Sequence, residues 1–463
     1  MRKRLILVYP KINHEENYAY SWAPYALLAI APSLREQAGL EVVLFDGNRR
    51  DIQSFQALLN DSRNRTICIG FSIMTGGGQI EHALKMAAIA RNMLPDCPLV
   101  FGGPHVNVLP EQTLAHPLVD IVLVGPGQFS MPTLADALCN HDDFSRVPGL
   151  WMKKNGQTIA GPTNPFSKCA PQKYPWDLLD IPEYIQNEPA IADRTIGYVS
   201  SLGCPYRCRF CYESIYNGKY DAMPVQQVLN DIEYLVRHHH VNGIKFYDAD
   251  FFVNHKRVEA FCNGLKKRNL NIRWAGSISP RDVLRMQRNH PELLKYMAHT
   301  GCSRLLMGLE SGSDRVLREI VGKRTSVREL YESAGLIARA TILGSYTFIM
   351  GFPGESQDEI QETIRFKESL SALNPQPETR MHLYAPYPGT PLYEESLKCG
   401  FLERKSLEEW SSFNYYEEQT PWVDESLRAL AKTHTRQQQS LRVAREHISG
   451  KTPGKVSSLS DAV

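Results

Sequence analysis

The chain has 463 residues, a formal net charge of +2, and a composition that is 43% hydrophobic and 22% charged. This length exceeds one ordinary core and predicts two or three domains, while the near-neutral charge gives no support for a nucleic-acid partner. No stretch approaches the roughly 18 apolar residues of a membrane helix. We therefore expect a cytoplasmic protein without a membrane span, in which the ten cysteines serve metal or redox chemistry, or pack as small apolar side chains.

The first 140 residues alternate short apolar runs with amphipathic stretches. Strands are predicted at 5–9, 41–46, 67–72, 99–103 and 119–125. Such alternation is typical of a Rossmann-like α/β domain, whose parallel sheet is covered on both faces and binds ligands beyond the carboxyl ends of its strands. Three strands end in glycine-rich segments, SIMTGGG, GGPH and GPGQ, which predict a shared ligand site with tight turns as the alternative. None has the G-x-G-x-x-G pattern after the first strand, which disfavours an ordinary dinucleotide site.

The alternation of strands and helices resumes after a connector rich in proline and aromatic residues, 141–194. Strands are predicted at 195–201, 243–250, 272–278, 303–310, 345–351 and 380–386. Six β/α units over 195–395 predict a partial barrel of the TIM type, with its chemistry at the carboxyl ends of the strands. The mainly α extension, 396–463, begins with an aromatic-rich segment expected either to roof the barrel's active site or to pack on its side. Its last residues are expected to be disordered.

Three cysteines, Cys204, Cys208 and Cys211, follow the first predicted barrel strand with the spacing C-x3-C-x2-C. A zinc site usually has four ligands, and the histidines at 238–240 lie on a predicted helix where they cannot all face one metal. A disulfide would leave one cysteine unpaired. Iron–sulfur clusters take thiolate ligands, normally four, so three thiolates leave one iron open. We predict a cluster here, with zinc or structural thiols as the alternative.

The motif resembles the signature of the radical S-adenosylmethionine (SAM) superfamily, C-x3-C-x-aromatic-C, with Phe210 as the aromatic residue. The resemblance implies a 4Fe–4S cluster whose open iron chelates SAM, which one electron then cleaves to a 5′-deoxyadenosyl radical. The segments FYDADFF, GLESGS and FIMGFPGES are similar to other SAM-binding elements of this superfamily. The SAM contacts implied in this way are Phe210, Asp248, Glu310, Ile349, Gly351 and Gly354. Helix capping is the alternative role for Asp248 and for Glu310.

The two halves together resemble the cobalamin-binding radical SAM proteins of the class B methyltransferase type. This resemblance implies a cobalamin surrounded by Ser72, Thr75, Gly102, Gly103, Gly125 and Gly127. The D-x-H-x-x-G pattern of many cobalamin proteins is missing from the sequence, so we expect no histidine on the lower face of the corrin. His105 could be a ligand of the cobalt. Its alternative is a position at a helix start or on the surface.

The implied activity is methylation of an unactivated carbon in a small natural product, lipid or pigment precursor, with an electron donor such as flavodoxin or ferredoxin. Ring contraction, cyclisation or oxidation without methyl transfer is the first alternative, and a non-enzymatic cobalamin-binding module is another. A methylthiotransferase would hold a second cluster on three N-terminal cysteines. The candidates Cys68, Cys97 and Cys139 are too dispersed in the sequence for that role.

Overall fold

A computed structural model of the chain describes residues 2–12, 22–37, 39–76, 78–140, 142–154, 156–164, 166, 173–216, 218–413 and 419–433. The end of the chain that was predicted to be disordered lies outside these ranges. No helix within them is both long and apolar enough to cross a membrane.

The N-terminal sheet has seven strands in the order β2-β1-β3-β4-β5-β6-β7. They are β1 (Lys3–Tyr9), β2 (Leu40–Asp46), β3 (Thr66–Ser72), β4 (Leu99–Gly102), β5 (Ile121–Leu123), β6 (Leu150–Lys154) and β7 (Gln157–Ala160). The first five are parallel, and β6 and β7 add an antiparallel hairpin at the edge. Continuous apolar strands are buried on both faces, as β1 shows with Leu5, Ile6 and Val8 all at 0% exposure. The predicted parallel sheet is confirmed.

Six helices cover this sheet: α1 (Tyr25–Arg35), α2 (Ile52–Ser62), α3 (Gln79–Met93), α4 (Pro104–Val108), α5 (Pro110–Ala115) and α6 (Gly127–Asn140). One face packs against α1 and α6 through residues such as Leu34 and Leu134. The other face packs against α2 and α3 through residues such as Phe55 and Met86. The short helix α4 begins directly after the glycines that follow β4, which places its first residues at the carboxyl edge of the sheet.

The second sheet has the order β16-β15-β14-β13-β12-β9-β8, and a separate two-stranded hairpin precedes its second parallel strand. Its strands and the hairpin are β8 (Gln186–Glu188), β9 (Ala192–Tyr198), β10 (Ser201–Gly203), β11 (Tyr220–Ala222), β12 (Gly243–Phe246), β13 (Arg273–Ser277), β14 (Cys302–Glu310), β15 (Leu343–Met350) and β16 (Glu378–Leu383). Six of them are parallel neighbours, and β8 pairs antiparallel at the edge. The predicted partial barrel of six β/α units is confirmed.

The barrel helices are α7 (Val225–His239), α8 (His255–Lys267), α9 (Pro280–Asn289), α10 (Leu293–His299), α11 (Val327–Arg339), α12 (Gln357–Ser369) and α13 (Pro391–Lys398). Two of them start with a capping box, Ser326 with Glu329 and Ser356 with Glu359, in which the serine and the glutamate each bond the other's backbone N–H. These local signals fix where α11 and α12 begin, and hence where the preceding loops at the carboxyl ends of β14 and β15 must stop.

The aromatic segment after the barrel packs against the N-terminal sheet. Phe401, Trp410 and Phe413 are buried in the same apolar cluster as Phe71 and Phe101 of that sheet. The Trp410 indole N–H also donates to the Gln112 side chain at 2.7 Å. Trp422, later in the same segment, donates its indole N–H to the carbonyl of Gly351 in the barrel at 2.9 Å, so the segment contacts both domains and its role as a roof stays a prediction. Its apolar side chains complete the core of the first domain.

Candidate active site

The three motif cysteines lie on one loop beyond the first parallel strand of the barrel. The loop begins after β10, where the pairing of Gly203 with Tyr220 fixes its start. Gly203 has a φ of +79°, and a Cβ there would lie 2.2 Å from the Lys219 carbonyl oxygen. Only glycine fits this turn without moving the hairpin. The structure thus has the cysteines at the strand end where the sequence predicted them.

Arg209 holds the second half of the cysteine loop against the barrel. Its backbone N–H donates to the Val321 carbonyl at 2.9 Å, and its own carbonyl accepts from the Leu392 N–H at 3.0 Å. Its guanidinium donates to the Glu319 carbonyl at 2.9 Å and pairs with the Glu395 carboxylate. These contacts fix the chain between the second and third motif cysteines.

The chemistry of the three thiols of Cys204, Cys208 and Cys211 suits an iron–sulfur cluster. All three are unpaired and half-buried. Burial raises the pKa of each thiol, to about 12 for Cys204, so thiolates form there when a metal replaces the protons. Within the described ranges, no three His, Cys, Asp or Glu side chains converge to hold a single metal ion. A cubane needs no such convergence, because each thiolate binds a different iron.

Asp248 braces the start of the cysteine loop. Its carboxylate accepts from the Ser200 N–H at 2.6 Å, from the Ser200 hydroxyl at 2.5 Å and from the Ser201 hydroxyl at 2.6 Å. Burial raises the pKa of Asp248, and the serine donors oppose that shift. The next helix is capped by Asn254, so the capping alternative for Asp248 is wrong. The SAM contact implied for Asp248 stays a prediction.

A second aspartate of the same segment, Asp250, pairs with Asp282. Burial raises the pKa of Asp250 well above its ordinary value, and the neighbouring Asp282 carboxylate raises it further. The Tyr206 hydroxyl, between the first two motif cysteines, donates to Asp282 Oδ2 at 2.7 Å. Sequence reasoning missed Asp282 and Tyr206, because only the fold brings these distant residues together.

Glu310 ends β14 in the left-handed backbone conformation, with a φ of +67°. A register shift between Gly308 and Glu310 interrupts the ladder to β15 at this point. Lys323 Nζ donates to Glu310 Oε1 at 2.9 Å and to the Gly308 carbonyl at 2.5 Å. Burial alone would lower the pKa of Lys323, but the Glu310 carboxylate and the Cys208 thiol raise it overall. Glu310 therefore partners a buried lysine and does not cap a helix; sequence reasoning missed Lys323.

The other residues implied in SAM binding lie beside the cysteine loop. Phe210 and Ile349 pack in one apolar cluster. Gly351 has a φ of +79°, and its carbonyl accepts from the Trp422 indole N–H at 2.9 Å. Gly354 has a φ of +77° and open space where a side chain would stand. Phe210 of the loop and Ile349 of β15 are thus brought together, and the contacts of all four residues with SAM stay predictions.

Most of the glycines at the strand ends of the N-terminal sheet are closely packed against the chain's own atoms, which leaves no room for a side chain. Protein atoms stand 2.7, 2.6 and 2.7 Å from the Cβ position at Gly103, Gly125 and Gly127 respectively. Gly102 differs, because the nearest atom to its Cβ position, the Leu123 carbonyl oxygen, is 3.7 Å away. Of these four glycines of the predicted corrin surround, Gly102 therefore has the most room beside it.

Thr75 and His105 are both fully buried at this edge of the sheet. Thr75 Oγ1 lies 3.0 Å from His105 Nδ1, and burial lowers the pKa of His105 to about 3, which leaves the imidazole neutral. The His105 ring meets the Trp410 ring edge-on, with centroids 5.8 Å apart. The surface role considered for His105 is therefore wrong. Its Nε2 is buried without a hydrogen-bond partner among the described residues.

Two tyrosines join the carboxyl edges of the two sheets. Tyr212, directly after Cys211, donates its hydroxyl to the Pro104 carbonyl at 2.9 Å. Tyr387, beyond β16, donates its hydroxyl to the Thr75 carbonyl at 2.5 Å. The two rings lie with centroids 6.0 Å apart. The cysteine loop and the glycine-rich edge of the N-terminal sheet therefore face one common region.

Two family models match the chain in the order of its two sheets. A B12 binding domain model matches residues 16–135, and a radical SAM superfamily model matches residues 198–366. The chain belongs to the cobalamin-binding radical SAM family. The protein is accordingly an enzyme whose cofactors are a 4Fe–4S cluster, SAM and cobalamin, and these predictions are confirmed.

Two relatives and one solved structure are similar to most of this chain. An uncharacterised methyltransferase of Pyrococcus horikoshii is 28% identical over 82% of this chain and 79% of its own length. An anaerobic magnesium-protoporphyrin IX monomethyl ester cyclase of Cereibacter sphaeroides is 26% identical over 89% of this chain and 66% of its own length. The radical SAM methyltransferase TsrM of Kitasatospora setae superposes with a TM-score of 0.69 at 18% identity, covering 86% of this chain and 76% of its own. The likeness to TsrM shows the shared fold.

The three cysteines considered for a second cluster of the methylthiotransferase kind lie in different elements, with Cys68 in β3, Cys97 before β4 and Cys139 in α6. Cys68 and Cys97 are buried in the N-terminal domain, and burial raises the pKa of Cys97 to about 12. Cys139 lies half-buried near the end of α6. Buried thiols there pack as small apolar side chains.

Proposed function

We propose that this enzyme is a C-methyltransferase that acts on an unactivated carbon of a small natural product, lipid or pigment precursor. The observation that carries the proposal is the junction between the sheets. Tyr212 and Tyr387 bond to Pro104 and Thr75, so the cysteine loop and the glycine-rich edge face one region. A methyl group can reach a carbon from which hydrogen has been removed only when both cofactors stand over that carbon. The Pyrococcus methyltransferase supports this assignment.

When bound, SAM at the cluster supplies a hydrogen-abstracting radical and cobalamin supplies the methyl group. The protein's own residues position these groups and exclude water. Asp248 and its serine donors fix the start of the cysteine loop, and Arg209 fixes its second half. Lys323 and Glu310 form an ion pair next to Cys208. The buried junction between the sheets keeps solvent from the reacting carbon.

Cleavage of SAM tests the radical half of the proposal. Protein reconstituted with iron and sulfide without oxygen, and supplied with cobalamin and reductant, should form 5′-deoxyadenosine. Cys208→Ala should abolish that product, because the cluster loses one of its three anchors. Cys399→Ala, which changes an exposed cysteine, is the matched control and should retain the product. Formation of 5′-deoxyadenosine by Cys208→Ala at the wild-type rate would refute the cluster assignment.

Release of S-adenosylhomocysteine tests the methyl-transfer half. The wild-type protein should convert reduced cobalamin and SAM to methylcobalamin and S-adenosylhomocysteine, without any substrate. A product heavier by one CH2 then identifies the methylated molecule. The Cereibacter cyclase supports a second candidate, ring contraction, cyclisation or oxidation without methyl transfer. Formation of 5′-deoxyadenosine without S-adenosylhomocysteine or methylcobalamin would favour that candidate.

The proposal extends to the electron source and the cellular location. Reduction of the cluster requires a low-potential one-electron donor, and we assign that role to a flavodoxin or ferredoxin. Such donors and reduced thiols are found together in the cytoplasm. Faster SAM cleavage with a reduced flavodoxin than with dithionite alone would support this assignment.

A further inference from the structure

The short segment after the cysteine loop carries two buried polar atoms that lack partners. Glu213 Oε2 and Ser214 Oγ are both shielded from solvent and make no hydrogen bond among the described residues. A buried polar atom without a partner costs on the order of 1–3 kcal/mol, and native proteins contain few of them. Two such atoms on consecutive residues indicate that a ligand supplies the missing partners.

Glu213 and Ser214 lie where the barrel meets the edge of the N-terminal sheet. The residue before them, Tyr212, donates its hydroxyl to the Pro104 carbonyl at 2.9 Å. The residue after them, Ile215, lies 3.7 Å from the Cβ position of Gly389, and Val108 of α4 lies 2.7 Å from the same position. The segment is therefore held on both sides of the two unpartnered side chains.

The segment is also held at its two ends, so Glu213 and Ser214 cannot swing away to find other partners. The Ser214 N–H donates to the Cys211 carbonyl at 3.0 Å. The Tyr216 ring stacks on Phe166 of the connector with centroids 3.9 Å apart. Both unpartnered atoms are thus fixed features of the junction between the two sheets.

The chemistry of the two side chains defines the groups that would satisfy them. A carboxylate accepts hydrogen bonds, and a serine hydroxyl both donates and accepts. No described Lys, Arg or His hydrogen-bonds to Glu213 Oε2. A neutral primary amide offers N–H groups to the carboxylate and a carbonyl to the serine. The rim of the corrin ring carries several such amides, and its predicted surround includes Gly102 and Gly103, which directly precede Pro104.

We propose that Glu213 and Ser214 bind carboxamide groups on the rim of cobalamin, so that the barrel completes the cobalamin site from across the junction. This inference rests on the proposed function. A segment of the radical SAM barrel would then help to bind cobalamin, the cofactor of the N-terminal domain. Cobalamin affinity should therefore depend on residues far outside the N-terminal sheet.

Binding of hydroxocobalamin to the full chain, without SAM or substrate, tests the inference by equilibrium dialysis. Glu213→Met keeps the size of the side chain and removes its acceptor, so it should raise the Kd about tenfold or more. Ser214→Ala should raise the Kd severalfold. Glu394→Met, which changes an exposed glutamate on α13, is the matched control and should bind as the wild type does.

The thermal stability of the apo protein separates a ligand contact from a structural role. Because Glu213 lacks a partner there, Glu213→Met should leave the apo Tm unchanged or raise it, while it weakens cobalamin binding. A lowered apo Tm together with weaker binding, or wild-type affinity in both Glu213→Met and Ser214→Ala, would overturn the inference. Failure of the wild-type chain to bind hydroxocobalamin would instead remove the cobalamin half of the proposed function.

Corrins in which one amide is replaced by a carboxylate provide a second readout. We expect the b-, d- and e-monocarboxylic acids of cobalamin to differ in their affinity for the wild-type protein. The acid that faces Glu213 should bind weakest, because two carboxylates repel each other, and Glu213→Gln should restore most of its affinity. Equal affinity of the three acids for both proteins would contradict the proposed contact.

Discussion

Lys323 and Glu310 form an ion pair whose side chains are only 11% and 8% exposed. Removing one member of a buried pair leaves an uncompensated charge in a medium of low dielectric constant. The pair also lies next to Cys208, whose thiol adds to the negative charge around the lysine. At the scale of single residues, the site therefore depends on Lys323, a cation that lies outside the cysteine motif.

Lys323→Met should lower the free energy of unfolding of the apo protein by about 3 kcal/mol or more, because Glu310 would remain buried without its partner. Chemical denaturation measures this loss. Lys295→Met is the control, since Lys295 and Glu292 form a pair that is 67% and 77% exposed, and its loss should cost less than about 1 kcal/mol. Equal losses in the two variants would contradict the importance of the buried pair.

Glu355 should give the protein a pH-dependent stability near neutrality. Burial raises the pKa of Glu355 from 4.5 to about 7, although the N–H groups of Gly351 and Phe352 oppose the shift. The stabilising effect of the bound proton is complete below pH 4.5 and is lost as the pH rises through 7. The wild type should therefore lose about 3 kcal/mol relative to Glu355→Gln over this interval.

Denaturation of the wild type and of Glu355→Gln across that pH range measures the difference. Glu362→Gln, on the exposed face of α12, serves as the control and should follow the wild type at every pH. A constant difference between the wild type and Glu355→Gln at all pH values would show that the Glu355 carboxyl does not titrate in this way.

The cysteine loop and the hairpin that starts it act as one element. Gly203→Ala should displace the start of the loop, because the new Cβ would meet the Lys219 carbonyl oxygen at 2.2 Å. We expect a loss of about 2 kcal/mol or more in stability and less iron bound after reconstitution. Gly156→Ala is the matched control: its φ of +77° is as unfavourable, but no atom stands within 4 Å of its Cβ position. Equal iron content in the two variants would contradict this prediction.

The sequence predicts the elements of the site better than their contacts. The three cysteines are close along the chain, so their spacing alone indicates the cluster. Asp248 could be placed at a strand end, but its bonds to Ser200 and Ser201 depend on how β12 lies beside β9. Lys323 stands after a π-helical turn that no simple periodicity predicts. Such contacts depend on tertiary packing, which local patterns do not encode.

At the scale of the whole molecule, the first domain is completed by residues 401–413, which follow the barrel. The apolar periodicity of residues 1–140 predicts the sheet and its helices, yet it cannot show which distant segment covers the remaining apolar face. Phe401 and Trp410 fill that position. An aromatic-rich segment indicates that its side chains will be buried but not which surface buries them, so the sequence did not predict its packing on the first domain.

Trp410→Ala should therefore destabilise the N-terminal sheet, although the substitution lies far from it in sequence. Loss of a fully buried tryptophan costs about 3–5 kcal/mol. Amide hydrogen exchange should accelerate in β3 and β4, which share a cluster with Trp410. Leu402→Ala is the control, because Leu402 is 84% exposed and its truncation should leave exchange unchanged. Faster exchange confined to the barrel would contradict this packing.

The aromatic cover of the first sheet has a consequence for synthesis. The ribosome makes β5 long before it makes Phe401, and at about 5–20 residues per second the delay is on the order of half a minute. During that time the nascent sheet exposes the apolar face that Trp410 later shields. We expect the newborn chain to engage holding chaperones, and its corrin pocket to take shape after release rather than while translation proceeds.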